Sequence, residues 1–88
     1  MELKILRKQI DKLDEQILEV LAERFEVVKK IDLVKKRQDF PVFDFTREKH
    51  LFKRIEGISQ KLHLNKKFTK TLFGLIITES KRLQENKK

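Results

Sequence analysis

The sequence predicts an all-α protomer of three helices, one long and two shorter, that pairs with a second copy of itself. Three observations carry this. Residues 2–38 contain neither proline nor glycine. Their apolar side chains recur every seven residues. The chain's one proline, Pro41, and its first glycine, Gly57, come only afterwards. A composition 39% hydrophobic and 41% charged suits amphipathic helices and argues against disorder.

The first helix is predicted over residues 2–38. One apolar row is Leu3, Ile10, Ile17, position 24 and Ile31; the other is Leu6, Leu13, Val20, Val27 and Val34. Steps of three and four put both rows on one face, as in a coiled-coil seam. Such a helix is roughly 50 Å long. A compact domain of this size has a radius of gyration of only about 12 Å. The helix therefore overshoots a compact monomer, and its apolar stripe continues to the far end. A second copy packed along it is the physical solution.

Pro41 disfavours helix at residue 40 and ends the first helix near Gln38. Residues 39–44 read as a loop, with Asp44 as the cap of a second helix. That helix carries Leu51, Ile55, Ile58 and Leu62 at helical spacing. His63 to Asn65 read as a turn, with Asn65 capping a third helix. There Phe68, Leu72, Leu75, Ile76 and Leu83 form the expected core stripe, and the tail after Gln84 is polar and expected to fray. A second stripe of Phe73, Ile77, Ser80 and Gln84 turns from apolar to polar, as a pocket wall does, or as a helix does where it surfaces toward solvent.

Eighty-eight residues make a single domain, 1–88, too small to bury much surface alone. The absence of cysteine excludes disulfides and thiol chemistry. The sequence opens without a signal-like or transit-like segment, and no apolar run approaches the ~20 residues of a membrane span. A soluble cytoplasmic protein is expected, with no membrane partner. The net charge of +8 predicts an anionic partner without choosing among nucleic acid, a membrane surface and a small polyanion.

Arg24 breaks the pattern, because it occupies a seam slot whose other members are apolar. A buried guanidinium needs a counter-charge, either a carboxylate on another helix or an anionic ligand. Lys35, about three turns on, shares nearly the same face. With Cα atoms roughly 16 Å apart, the two long side chains can converge on a small anion. Taken alone, Lys35 also reads as a solvated lysine beside Lys36 and Arg37. Arg7 flanks the same stripe about 25 Å from Arg24, so only a second chain's Arg7 can reach the same ligand. Alone it is an ordinary surface arginine. Arg47 and Glu48 open the second helix, where the helix dipole already favours an acid. Lys66, Lys67, Lys81, Lys87 and Lys88 read as solvating lysines.

Together these positions resemble the all-helical chorismate mutases. The run Leu6-Arg7-Lys8-Gln9-Ile10-Asp11-Lys12-Leu13-Asp14 is similar to the family's opening, followed by Leu21-Ala22-Glu23-Arg24 and then Lys35. Pro41-Val42-Phe43-Asp44-Phe45-Thr46-Arg47-Glu48 and Phe73-Gly74-Leu75-Ile76-Ile77-Thr78-Glu79-Ser80 with Gln84 match its middle and closing segments. The resemblance implies an intertwined helical homodimer that converts chorismate to prephenate, on the route to phenylalanine and tyrosine, with no cofactor and no metal. It assigns Arg24 and Arg7 of the neighbouring chain to the two substrate carboxylates, and Lys35 and Gln84 to the ether oxygen. Glu48 and the backbone at Asp44 would hold the ring hydroxyl, with Arg47 and Ser80 supporting the carboxylate end. Ile31 and Ile77 fall at apolar pocket walls.

A dianionic substrate accounts for cations gathered where a core should be. A unimolecular rearrangement needs no nucleophile or proton-transfer pair, and none is visible. Two alternatives remain at this level. One is an isochorismate–pyruvate lyase of the same fold, although the Pro41–Glu48 segment and the Ser80/Gln84 spacing look more like a mutase. The other is a basic helical module for nucleic acid. The lack of Tyr and Trp and the even spread of basic residues argue against it, so no nucleic-acid partner is expected.

Overall fold

A computed structural model describes residues 2–38 and 45–85. They form α1 (Glu2–Arg37), α2 (Phe45–Lys61) and α3 (Lys66–Glu85). The expected loop at 39–44, with Asp44 as its cap, and the tail 86–88 lie outside the described residues. Among the described residues no helix is long and apolar enough to cross a membrane.

Helix α1 runs uninterrupted for 36 residues, about 54 Å. Lys35, Lys36 and Arg37 occupy its last turn, where cations meet the negative end of the helix dipole. The Gln38 amide still donates to Val34 O at 3.0 Å. The molecule measures 57 × 29 × 15 Å with a radius of gyration of 16.3 Å, so it is far from the compact globule its length would give.

The turn between α2 and α3 forms as the sequence predicts. His63 takes a left-handed backbone (φ 59°). Its amide donates to Gln60 O, and the Leu64 amide reaches back to Ser59 O at 2.9 Å. This is the paired closure of a helix C-terminus around a left-handed residue. Asn65 then opens α3: its Oδ1 accepts from the Phe68 amide at 2.8 Å, and its carbonyl accepts from the Thr69 amide at 3.0 Å.

Helix α3 packs against both α1 and α2, whereas α1 and α2 make no close backbone approach among the described residues. The buried apolar side chains are few: Val28, Leu51 and Ile55. Asp32, Ser59, Thr69 and Ser80 are buried with them. Ser59 and Thr69 share a 2.6 Å hydroxyl contact across α2 and α3, and each also donates to, or can donate to, its own helix, at Ile55 O and Lys66 O.

Two core expectations are corrected in the single chain. On α2, Leu51 and Ile55 are buried, but Ile58 and Leu62 are exposed. On α3, Phe68, Leu72 and Leu75 point outward, while Ile76 and Leu83 are half-buried. The packed face of α3 is instead Thr69, Phe73, Ile76, Ile77 and Ser80. The reason is that α3 carries two apolar faces, and its own chain supplies neighbours for only one. The seam of α1 shows the same imbalance. Every residue from Glu2 to Val20 is exposed, including Leu6, Leu13 and Ile17.

Candidate active site

Among the described residues α1 and α2 make no close backbone approach, and a cleft lies between them. Its cavity is about 370 Å³. Helix α1 supplies Arg24, Val28, Ile31 and Lys35, at steps of four, three and four that keep them on one face. Helix α2 supplies Arg47, Glu48 and Leu51 from its first two turns. Helix α3 supplies Ile77, Ser80, Lys81 and Gln84. The walls are apolar at Val28, Ile31, Leu51 and Ile77. The polar groups comprise four cations, one carboxylate, a hydroxyl and an amide.

Six of the eight residues singled out in the sequence therefore come together: Arg24, Lys35, Arg47, Glu48, Ser80 and Gln84. Ile31 and Ile77 form walls as expected. Arg7 does not join them. It sits exposed on the outer half of α1, about 25 Å away along the helix. Asp44 lies outside the described residues.

Arg24 is half-buried, and its Nη1 donates to Ser80 Oγ at 3.0 Å. Ser80 in turn donates to Ile76 O at 2.9 Å, which fixes its lone pairs toward the guanidinium. Among the described residues no carboxylate lies within ion-pairing reach of Arg24, so the intraprotein pair weighed in the sequence is not seen among them. Burial, then the like charges of Arg47 and Arg54, lower its pKa from the ordinary arginine value. Arginine remains a cation regardless. The shift means that the charged form is under electrostatic tension, which a bound anion relieves.

Gln84 Nε2 donates to Ser80 O at 3.4 Å, a weak bond, while its Oε1 is buried without a partner among the described residues. A buried amide this poorly satisfied is expected where a ligand completes the hydrogen bonding. Lys81 corrects the sequence reading. Instead of trailing in solvent, it lines the cavity and pairs with Glu48 Oε2 at 2.8 Å. The signal was available, since residue 81 lies four on from Ile77 and three before Gln84, on the same face. Lys66 and Lys67 are exposed as expected, while Lys87 and Lys88 lie outside the described residues. Asp32 was also missed: it is fully buried on α1, with Lys36 Nζ at 3.6 Å from its Oδ2.

A larger groove of about 620 Å³ runs beside α2 and the start of α3, with Phe45, Phe52 and Ile55 flanked by five lysines. It shares only Glu48 with the cluster above, and all five of its lysines are exposed. The smaller cleft is the one where half-buried polar groups converge.

Comparison with known proteins agrees with this geometry. The profile of the family chorismate mutase type II matches residues 6–85. A chorismate mutase of Methanocaldococcus jannaschii is 30% identical over 80 residues, covering 91% of this chain and 81% of that protein. The bifunctional chorismate mutase/prephenate dehydratase of Aquifex aeolicus is 41% identical over 62 residues, 70% of this chain but 17% of that one. Its counterpart in Escherichia coli K12 is 36% identical over 80 residues, 91% and 21% respectively. The chain thus spans most of the first relative and about a fifth of the bifunctional ones. A cationic cleft on three helices, matched from residue 6 to residue 85, places this chain in the chorismate mutase type II family, whose members are isomerases.

Proposed function

We propose that this chain is a single-domain chorismate mutase, residues 1–88, acting in the cytoplasm as an intertwined homodimer with two shared active sites. Each site converts chorismate to prephenate by an intramolecular rearrangement: one C–O bond breaks, one C–C bond forms, and no atom enters or leaves. The observation that carries the reading is the half-buried Arg24, held by Ser80, facing a cavity with three further cations and paired with no carboxylate among the described residues. A dianionic substrate supplies the missing charge.

Catalysis then comes from positioning and from a preorganised field. Arg24 takes one substrate carboxylate, and Arg7 of a second copy takes the other. Arg47 and Ser80 support that end, Ser80 through its bond to the guanidinium. Glu48 and the backbone at Asp44 hold the ring hydroxyl. Lys35 and Gln84 face the ether oxygen, where negative charge grows as the C–O bond breaks. Gln84 gives up only a 3.4 Å bond to turn toward it. As an amide it donates at neutral pH, whereas a glutamate there would first have to be protonated.

The dimer is supported by the unclothed half of α1. Residues 2–20 expose a continuous apolar seam, and Val28, Leu51 and Ile55 are too small a core for a lone chain. The test is the loss of chorismate absorbance on adding purified protein, with prephenate as product. A folded dimer that leaves chorismate untouched, or one that releases pyruvate from isochorismate instead, overturns the assignment.

A further inference from the structure

We propose that Lys81 is a positioning residue of this site, keeping the Glu48 carboxylate aimed at the substrate and away from the cations that bind it. The inference rests on the mutase reading and extends it to a residue outside that assignment.

The geometry is specific. Lys81 Nζ lies 2.8 Å from Glu48 Oε2 and ties α3 to α2. Three further ion pairs, Lys29–Glu26, Lys36–Asp32 and Arg82–Glu79, each stay within one helix. Both partners are mostly covered, at 28% and 22% side-chain exposure, and both line the cavity. Screening by water is therefore weaker than for a fully exposed pair, whose contribution is usually small.

The electrostatic setting gives the pair its purpose. Charged groups facing Glu48 across the cavity are Arg24 and Lys35 on α1, Arg47 on α2 and Lys81 on α3, while Lys49 lies beside it in the adjoining groove. A lone carboxylate among them is drawn to whichever cation is nearest. Were it Arg24 or Lys35, the acid would neutralise a charge that the substrate needs. Lys81 holds Oε2 of Glu48 from the α3 side, and Oε1 is the oxygen that this ion pair does not take. That oxygen can accept a hydroxyl hydrogen from a ligand, and Arg24 stays without a carboxylate.

Lys81→Met, Lys81→Arg, Glu48→Gln and the Lys81→Met/Glu48→Gln double variant, each purified as the dimer, test this by chorismate kinetics. Lys81→Met should lower kcat/KM about tenfold or more, chiefly through a higher KM, because substrate must now displace Glu48 from its own binding cations. Lys81→Arg should restore most of the loss. In the Glu48→Gln background, Lys81→Met should add little, since the charge it restrains is gone. Unchanged kinetics in Lys81→Met, or losses that multiply in the double variant, overturn the inference while leaving the reaction standing. A wild-type dimer that makes no prephenate overturns the reaction and this inference together.

Discussion

The two halves of α1 carry one heptad repeat but live in different surroundings. From Leu21 onward the helix lies against α3, with Val28 and Asp32 buried and Arg24 and Lys35 half-covered. From Glu2 to Val20 every residue is exposed, although Leu3, Leu6, Ile10, Leu13 and Ile17 continue the same row. An apolar stripe that ignores the boundary between packed and bare helix is what the proposed second copy would cover. Basic residues split the same way: Arg24 is held in place by Ser80, while Arg7 is exposed. One half builds most of a site; in the dimer proposed above, the other half carries the remainder of the partner's.

The largest expected effect lies in the packed half. Arg24→Ala and Lys35→Ala should each cut kcat/KM by about 10²–10³ or more, with helicity by circular dichroism and dimer mass unchanged. Retention of most activity by Lys35→Ala would remove the electrostatic account of the reaction. In the bare half, Leu13→Lys should dissociate the dimer in light scattering and make the remaining activity depend on protein concentration, whereas Glu15→Lys, on exposed surface off the seam, should do neither. A Leu13→Lys chain that stays dimeric would mean the seam is not the interface.

The halves can also be recombined. Arg7→Ala and Arg24→Ala chains, each inactive alone, should regain up to about a quarter of wild-type activity when mixed one to one. In a two-fold dimer half the pairs are hybrids, and each hybrid has one intact site of two. Proven subunit exchange without rescue would break the idea that the bare half completes the packed half's site. The smallest effect lies away from both. His63→Gly should stabilise the fold by about 0.5–1 kcal/mol in denaturant melts without altering activity, because glycine adopts a left-handed backbone without strain. A loss of stability there would show that the His63 side chain contributes more than its backbone costs.

What was legible in the sequence was local. The extent of α1 follows from an unbroken run and a proline, and the start of α3 from one asparagine. Helical spacing puts Arg24 with Lys35 on one face and Ser80 with Gln84 on another; that the two faces share a site was implied by the resemblance to the chorismate mutases, not by spacing. What escaped depends on packing between helices. Phe68, Leu72 and Leu75 look as core-like as Phe73 and Ile77, and periodicity cannot say which face meets its own chain and which awaits another. Ser59 and Thr69 are polar yet buried, because each satisfies the other's hydroxyl across the interface. Lys81 sits beside Arg82 in a basic run that reads as solvent-facing until Glu48 is seen beneath it.

The absence of any close backbone approach between α1 and α2 among the described residues has one more result. Among the described residues the two walls of the cleft are tied through α3, like the sides of an arch with its crown stone missing. A dianion gripped by Arg24 and Lys35 on one wall and Arg47 on the other would lock that crown, so rigidity would peak when the cleft is filled. Hydrogen exchange in the first turns of α2 should then slow as the reactant settles in and quicken again as it departs.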